Sequence, residues 1–516
     1  MKNLPQCLID CDMAMLRAIA QRRGIVLASN RQREVVKQLA EELVQPQSIA
    51  DTLEWLKPRE QDALESLVSK GGRNKFHLFV RQYGQIPSFG PGRLERERPW
   101  EAPTSAAEGL WYSGLIYRAF DKVEGQTSEF IFIPQDLLPL LPGVEKKPPA
   151  PAPALVVETA PTPSAVSEGN LALVQDACAF LSCLQNENVK PLKDGSLARL
   201  DVEGISKRFL VKDSEDEQGT ERLAFLQHLC QQLRLVHISE GFLKPNPPKA
   251  KRWLKAPRAE QLLALQETWR DDPGWNELWR VTSLRCEPTG WRNDPLLARK
   301  KILGHLAKRP PQQWLSLASL TRAIKESDPD FQRPDGDYTS WYIREVATGQ
   351  YLTGFEHWGQ VEGALIVHLL ARPLHWLGAT SLGYDAEGTV RSFLITPWGA
   401  AFLGLPGEMP AEAAPSLRQA QDIAPMIVQP DFTIIAPASG SLYDLFQLER
   451  IAAWQSSGAS YVYRITRGSL AQGVRQGIKI EMILAFLKRV SGGKVPKNVV
   501  AALRNWDKKR GQTRRR

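Results

Sequence analysis

The chain contains 516 residues, of which 43% are hydrophobic and 24% are charged, and its formal net charge is +9. This length predicts about three to five domains, and the composition is typical of a soluble globular protein with sizeable cores. The first residues lack the basic start and apolar run of a signal peptide, and no window approaches the ~18 uninterrupted apolar residues of a membrane span. We therefore expect a cytoplasmic protein, neither secreted nor membrane-spanning.

The positive charge is concentrated at the C-terminal end. Of the 66 Lys and Arg and the 57 Asp and Glu, fifteen and two lie in residues 464–516, which leaves 51 and 55 for the rest of the chain. Such asymmetry is typical of a protein that binds a polyanion. The alternative is a solubilising tail, which the terminal RGQTRRR alone would fit. The cations at Arg475, Lys488 and Lys494 favour a folded basic face.

Residues 1–50 predict a helical hairpin. The patterns MLRAIAQRRGI and NRQREVVKQLAEEL place apolar residues at helical spacing, with Gly24 ending the first helix and Asn30 as the N-cap of the second. This order weakly resembles the SAP DNA-binding motif, although a plain helical hairpin is the favoured interpretation. In a SAP-like motif, the arginines available to phosphates would be Arg22, Arg23, Arg31 and Arg33.

The six cysteines are sparse and follow neither a disulfide framework nor a metal-ligand spacing. Cys7 and Cys11 lie four residues apart on a predicted helix, but no second Cys or His pair lies near them in the sequence. We therefore predict free buried thiols, with no metal site and no cofactor.

Residues 51–142 predict three helices followed by a β-hairpin, which is the order of a winged helix. The helices are KPREQDALESLVSKGG, KFHLFVRQYG and TSAAEGLWYSG, and the third begins with a capping box from Ser105 to Glu108. The hairpin pairs LIYRAF with EFIFIP across a polar loop. A Pro/Ala-rich segment follows over residues 143–169, and its composition predicts a semi-extended linker.

Residues 301–410 repeat the winged-helix order. The predicted helices are WLSLASLTRAIKE, YTSWYIREVAT and VEGALIVHLLARPLHWLG, and the hairpin pairs TSLGYD with VRSFLIT. Residues 170–300 are helical and fit a winged helix less cleanly, through LAFLQHLCQQLRLVHISEGFLKP. The third helices of residues 51–142 and 301–410 lack the basic side chains that read the major groove. Backbone contact or partner docking is therefore expected rather than sequence-specific readout.

Residues 423–510 predict a small α+β domain, followed by a basic tail over residues 511–516. IVQPDFTIIAP predicts a strand at residues 427–435, SLYDLFQLERIAAW a helix, and ASYVYRIT a second strand at residues 460–465 that pairs with the first. Three more helices complete the domain: RGSLAQGVRQG, KIEMILAFLKRVSGG and VPKNVVAALRNWDKKRG.

This run resembles the helicase-associated domain of XPB-type helicases and of bacterial proteins that carry winged helices before it. The matching motifs are the Gln-Pro-Asp strand, the Tyr-Arg-Ile-Thr strand, Ser-Leu-x-x-Gly-Val, and Leu-x-x-x-Ser followed by Val-Pro, over about the last ninety residues. Upstream, SAAEGLWYSGLIYRAF, EFIFIPQDLLPLLP and LITPWGAAFL resemble the same bacterial proteins more loosely. The arrangement also resembles the winged-helix subunit of TFIIH, which holds and stimulates XPB. The resemblance implies helicase association.

The sequence lacks the motifs of a helicase motor. A P-loop needs G-x-x-x-x-G-K-[ST] to cradle phosphate and bind Mg²⁺, whereas SGGKVPK has Val after the Lys and no earlier Gly at the right spacing. No Asp-Glu pair follows an apolar strand as a Walker B motif would. We therefore expect no catalysis by this chain, so that any helicase activity would belong to a partner.

Three functional hypotheses follow. The first is a non-catalytic, helicase-associated accessory protein in transcription or DNA repair, which binds the nucleic-acid backbone and docks an XPB-like helicase. Such a protein would be associated with the nucleoid. The second is a docking scaffold without DNA contact, with Phe432 and Ile434 as docking residues, and the third is a winged-helix transcription regulator. The candidate nucleic-acid-binding residues are Arg464, Arg467, Arg475, Lys488, Arg489, Lys494, Lys497, Arg504, Lys508, Lys509 and Arg510.

Overall fold

The computed structural model describes residues 2–123, 126–142, 157–210, 218–333, 336–406 and 424–513. The chain divides into two compact units: unit 1 is Met1–Leu155 with Arg333–Tyr338, and unit 2 is Val156–Gln332 with Thr339–Arg516. Both consist mainly of helices with small antiparallel sheets, as the sequence predicts. In the described ranges, no helix is long and apolar enough to cross a bilayer.

Unit 1 is built from short helices around a three-stranded sheet of order β1-β3-β2. Its elements, in chain order, are α1 (Leu4–Ile9), α2 (Met13–Arg22), α3 (Gln32–Leu43), α4 (Pro46–Trp55), α5 (Pro58–Ser69), β1 (Arg73–Lys75), α6 (Phe76–Tyr83), α7 (Pro91–Glu97), α8 (Ala106–Tyr112), β2 (Tyr117–Val123) and β3 (Gln126–Phe132).

The N-terminal helices differ in detail from the predicted hairpin. Gly24 does follow the first predicted helix, with a φ of 68° that favours glycine. The N-cap of α3 is Arg31 rather than Asn30. The helix predicted to carry Cys7 and Cys11 is α1, which contains Cys7 but ends at Ile9, before Cys11. The sequence prediction missed α4, which follows the predicted pair. The N-terminal region is therefore a four-helix array whose apolar faces, such as Leu16 and Leu39, enter the unit 1 core.

The start of α8 shows a variant of the predicted capping box. Ser105 Oγ accepts from Glu108 N at 3.0 Å, as expected for an N-cap. The Glu108 carboxylate, however, accepts from the backbone N and the hydroxyl of Thr104, at 2.7 and 2.6 Å, rather than from Ser105 N. The reciprocal bond has moved one residue upstream, which still fixes the entry of the chain into the helix.

Unit 2 contains the remaining elements. In chain order they are β4 (Ala165–Ser167), α9 (Ala172–Asn186), α10 (Arg199–Ser206), α11 (Gln218–Gln232), β5 (Val236–Ser239), β6 (Phe242–Pro245), α12 (Pro247–Lys255), α13 (Arg258–Asp271), β7 (Leu284–Cys286), α14 (Pro295–Leu306), β8 (Leu315–Ser316), α15 (Leu317–Ser327), β9 (Ile343–Glu345), α16 (Ala364–Ala371), α17 (Pro373–Trp376), β10 (Thr380–Tyr384), β11 (Val390–Ile395), α18 (Pro397–Leu403), β12 (Ile427–Val428), β13 (Thr433–Pro437), α19 (Leu442–Glu449), β14 (Ala453–Ser456), β15 (Ser460–Arg464), α20 (Arg467–Arg475), α21 (Ile480–Val490) and α22 (Lys497–Thr513).

A related order of elements occurs three times: helix, short strand or bridge, two helices and a hairpin whose second strand pairs with that strand or bridge, with α7 inserted in the first set and β9 and α17 in the third. In unit 1 these are α5, β1, α6, α8 and the hairpin β2-β3. In unit 2, α9 leads to Val189, which bridges Leu243 of β6, and then to α10, α11 and β5-β6. The third set is α14, β8, α15, α16 and β10-β11, in which β8 pairs with β11.

The third set corrects the helix assignments for residues 301–410. WLSLASLTRAIKE forms α15, which is the second helix of the set and not the first. The first is α14, which begins at Pro295 after the N-cap Asp294, so the predicted boundary at residue 300 cuts through it. YTSWYIREVAT is not a helix, because its centre forms β9 and pairs with β7.

The predicted linker is also partly incorrect. Residues 143–156 lie outside the described residues, but Ala165–Ser167 forms β4 and pairs with β10. Nearer the start of the described segment, Thr159 bridges Leu315 of β8. Backbone groups at the two edges of a sheet need hydrogen-bond partners, and this Pro-rich segment supplies them.

Candidate nucleic-acid interface

The C-terminal domain is built on a four-stranded antiparallel sheet of order β12-β13-β15-β14. The predicted pairing of the two strands is confirmed, with Thr433 opposite Arg464 and Ile435 opposite Val462. The first predicted strand is instead a hairpin, because the chain turns between β12 and β13. At the turn, the Asp431 carboxylate accepts from the backbone N and the hydroxyl of Thr433, at 3.1 and 2.9 Å.

The helix predicted from SLYDLFQLERIAAW ends early. α19 stops at Glu449, and the chain then forms β14, in which Trp454 is half-buried rather than part of a helical core face. The apolar side of α19 rests on α9, where Cys178 Sγ lies 3.3 Å from Leu442 O and Asn186 Nδ2 donates to Glu449 O at 2.9 Å. The domain is therefore covered on this side by α9 of the same unit.

A buried carboxylate lies at this contact. Glu449 Oε2 receives Arg208 Nη1 at 2.9 Å, and Tyr463 OH donates to Glu449 Oε1 at 3.2 Å. Burial raises the pKa of Glu449 to about 7, despite the nearby guanidinium. Sequence reasoning missed this group, whose only signal is an acid next to the apolar positions of α19.

The candidate cations lie on β15 and on the three C-terminal helices. Arg464 ends β15, Arg467 and Arg475 begin and end α20, and Lys488 lies on α21, all exposed. Exposed Lys494 and Lys497 surround the start of α22. No carboxylate of the described side chains is within ion-pair distance of these six cations. The side chains of Lys508, Lys509 and Arg510 lie outside the described residues.

Two candidate cations are committed to ion pairs. Arg489 forms a two-bond pair with Asp444 of α19, at 2.6 and 3.1 Å, which raises the pKa of the guanidinium. Arg504 of α22 pairs with Glu481 of α21, at 3.2 Å for both bonds. These pairs tie the helices of the domain together and neutralise both guanidinium groups locally, so Arg489 and Arg504 are weaker candidates than the other six.

Residues 426–516 match the family described as helicase conserved C-terminal domain. This range contains the whole four-stranded sheet and α19 to α22. No curated protein matches the chain. The match supports a helicase-associated protein, as the motifs of the same segment indicated.

Two of the six cations lie next to an aromatic pair at the sheet turn. The Phe432 ring stacks on Trp506 of α22, with centroids 5.0 Å apart and planes at 28°. The Arg467 guanidinium lies 5.8 Å from the centroid of Trp506, and Arg464 stands opposite Thr433 in the ladder. We call Phe432, Trp506, Arg464 and Arg467 the turn cluster. Aromatic rings beside exposed cations suit contact with a nucleic-acid backbone and its bases.

The structure places the two predicted docking residues, Phe432 and Ile434, in different surroundings. Ile434 is fully buried on the inner face of β13, so it offers no surface to a partner. Phe432 is half-buried against Trp506 with a φ of 72°, a left-handed conformation that β-type backbone does not use. Alternation in a single strand placed both side chains on one face, whereas the turn separates their roles.

Of the four N-terminal arginines that a SAP-like motif would offer to phosphates, two are largely buried and two are exposed. Arg22 is buried and bonds Glu60, Trp100 O and Ser113 at 3.3, 2.6 and 3.1 Å, so it is not available to phosphates. Arg23 donates to Leu43 O, and burial lowers its pKa to about 10. Arg31 and Arg33 remain exposed.

Proposed function

We propose that the chain is a non-catalytic, helicase-associated accessory protein that binds the nucleic-acid backbone through its C-terminal domain. The observation that carries this proposal is the presence of six exposed cations without ion-pair partners, among the described side chains, on the segment that matches a helicase C-terminal domain. Phosphate contacts by such cations release counterions and require no base sequence. An XPB-like helicase is the proposed partner.

The three repeated sets of elements support winged helices, because each has the short strand paired with the second hairpin strand. Their third helices present little charge to DNA. α8 and α16 contain no Lys or Arg, and Arg222 of α11 is buried against Asp176 at 2.5 Å. We propose that these sets support the C-terminal domain or dock partners rather than read base sequence, which disfavours a transcription regulator.

The non-catalytic role rests on the sequence, in which neither a P-loop nor a Walker B motif occurs. ATP turnover by the purified chain would contradict this part of the proposal.

Binding is tested on the full chain, because α19 is covered by α9 and an isolated C-terminal fragment would lose that contact. Fluorescence anisotropy with labelled duplexes and single strands of unrelated sequences should show binding that weakens steeply with salt and varies little with sequence. Absence of binding at low salt would overturn the proposal.

A docking scaffold is the second candidate, favoured by a groove of about 810 Å³ between α15 and α16. The groove has an apolar floor, four basic residues at its rim and no acidic residue among the side chains that line it. Three of these four already pair with acids outside the groove, namely Arg322 with Glu158, Arg372 with Glu221 and Arg391 with Asp385. A partner segment that is mainly apolar, with an acid opposite Lys325, would therefore fit. The basic rim consists of Arg322, Lys325, Arg372 and Arg391.

Val367 lies in this groove and is 37% exposed, which makes it suitable for a test. We expect Val367→Glu to reduce capture of an XPB-like helicase from the same cell at least about fivefold, since it places a charge in the apolar part of the contact. Leu263→Glu on α13, at 42% exposure, is the matched control. Equal capture by both variants and by the wild type would exclude the groove as the docking site.

A further inference from the structure

Three tryptophans form a stacked column in unit 2. Trp279 lies in a 3₁₀ turn, Glu277–Arg280, Trp291 lies in the loop before α14, and Trp341 precedes β9. The rings of Trp279 and Trp291 are 5.4 Å apart at 23°, and those of Trp291 and Trp341 are 5.1 Å apart at 18°. We call these three side chains the tryptophan column.

The column is held in place by hydrogen bonds between its three segments. The side-chain amides of Asn276 and Asn293 form two reciprocal hydrogen bonds, at 2.7 and 3.1 Å, which join the turn of Trp279 to the loop of Trp291. Trp291 Nε1 donates to Glu287 O at 2.8 Å, and Glu287 N donates to Tyr342 O at 2.9 Å. The rings are therefore fixed before any ligand arrives, which lowers the entropic cost of binding.

A buried ion pair also holds the turn that carries Trp279. Buried Glu277 accepts from Arg299 Nε at 2.9 Å and from Trp269 Nε1 at 2.7 Å. Arg299 is itself fully buried, so this ion pair is inside the unit and holds the turn rather than serving a surface ligand. Trp279 is thus directed outward by a rigid base.

The column is buried at one end and open at the other. Trp341 is 9% exposed, Trp291 is half-buried and Trp279 is 40% exposed. Among the described residues, the ring stacked on Trp279 is that of Trp291 alone. A large apolar ring in this position presents a flat surface to solvent that an aromatic ligand can cover.

The surroundings of the open end are basic. The stretch WRVTSLRCEPTGWR, residues 279–292, contains three arginines and one acid, and Arg285 and Arg292 are exposed. The acid is Glu287, which already binds Arg344 at 2.6 Å and Tyr351 at 2.8 Å. Glu287 also lies 3.7 Å from Arg285, whose side chain is nonetheless 68% exposed. A sugar ligand would need free carboxylates or amides for its hydroxyls, whereas here the acid and the two amides are occupied.

We propose that Trp279 is a stacking platform for an unpaired base of a single-stranded nucleic acid, whose phosphates Arg285 and Arg292 contact. This inference deepens the proposed function and rests on it, but it concerns a site outside the segment that matches the helicase C-terminal domain. Base stacking on an aromatic ring is tolerant of sequence and requires a strand whose bases are not paired.

The test compares full-length wild type with Trp279→Ala on labelled oligo-dT, on oligo-rU, on an abasic strand of the same length and on a duplex. We expect the variant to bind oligo-dT or oligo-rU at least about fivefold more weakly, because the contact with the base is lost. Its affinity for the abasic strand and the duplex should stay unchanged, and Trp279→Phe should restore most of the loss.

Trp55→Ala is the matched control, since Trp55 is 42% exposed and lies in unit 1. Equal affinity of Trp279→Ala and wild type for oligo-dT and oligo-rU overturns the stacking site, as does an equal loss on the abasic strand. If wild type binds duplex while Trp279→Ala has no selective effect, only this inference fails. If wild type binds none of the four probes, the proposed function fails.

Discussion

Unit 1 and the C-terminal domain both contain many arginines but use them differently. In unit 1, Arg22 is buried against Glu60, and surface arginines such as Arg93 and Arg98 pair with acids three or four residues away. In the C-terminal domain, Arg464 and Arg467 are exposed, Arg467 lies beside the ring of Trp506, and neither forms an ion pair with a described carboxylate. Hydrogen bonds from Thr433, helped by the charge of Arg464, do lower the pKa of nearby Asp431. Cation content alone therefore does not identify a polyanion site; the pairing of each cation does.

The largest effect on stability is expected from removing an arginine that is buried in an ion pair. Arg22→Ala leaves the Glu60 carboxylate buried without its charge partner, and we expect a loss of about 3–5 kcal/mol in the free energy of unfolding of unit 1. Urea unfolding followed by hydrogen exchange in peptides of α2 and α5 measures it. Arg93→Ala, which breaks an exposed and solvent-screened pair with Glu97, should leave the free energy of unfolding almost unchanged. Similar losses for both variants would contradict the distinction.

The next effect concerns the pH dependence of the contact between α9 and α19. Because burial raises the pKa of Glu449 to about 7, the folded state favours the protonated acid, so its contribution to stability is present below pH ~4.5 and is lost as pH rises through 7. Between pH 5 and 8, the free energy of unfolding of the wild type should decrease by on the order of 2 kcal/mol. Glu449→Gln, which mimics the protonated acid, should not show this decrease.

Thermal unfolding across this pH range measures the slope. Glu187→Gln is the matched control, because Glu187 also contacts Arg208 but its side chain is 53% exposed. A wild-type stability that rises between pH 5 and 8, with no change in Glu449→Gln, would show that Arg208 keeps the buried carboxylate ionised.

The smallest effect is on binding. Arg464→Ala with Arg467→Ala should weaken binding to duplex about tenfold near physiological salt and make the slope of log K against log salt shallower by about two. The paired arginines provide the comparison, and Arg489→Ala with Arg504→Ala should have a smaller effect on the slope. If the paired arginines matter more than the exposed ones, the turn cluster is not the binding site.

Local patterns in the sequence were sufficient for much of the fold. Apolar periodicity located α2, α3 and α5, and the alternating strands located β13 and β15 with their pairing. These elements are specified by residues close together in the chain, where helix and strand periods differ clearly.

Contacts between distant residues could not be predicted in this way. Arg208 and Glu449 are 241 residues apart, and the tryptophan column draws on three separate segments. The turn at Phe432 was missed because its left-handed backbone is uncommon for a bulky residue. The sequence located the basic region but could not show that Arg489 is ion-paired whereas Arg467 is not, because that difference depends on the position of Asp444 in the fold.

The Pro-rich segment at the start of unit 2 has a consequence for self-association. Residues 158–160 hydrogen-bond along β8, with Ser316 N donating to Glu158 O and Ala160 N to Trp314 O, while β4 pairs along β10. One short stretch therefore forms the edge on both sides of the three strands β10, β11 and β8. Open outer strands can recruit a strand from another molecule, and the short edges that this stretch provides, separated by Pro161 and Pro163, are poor templates for such pairing.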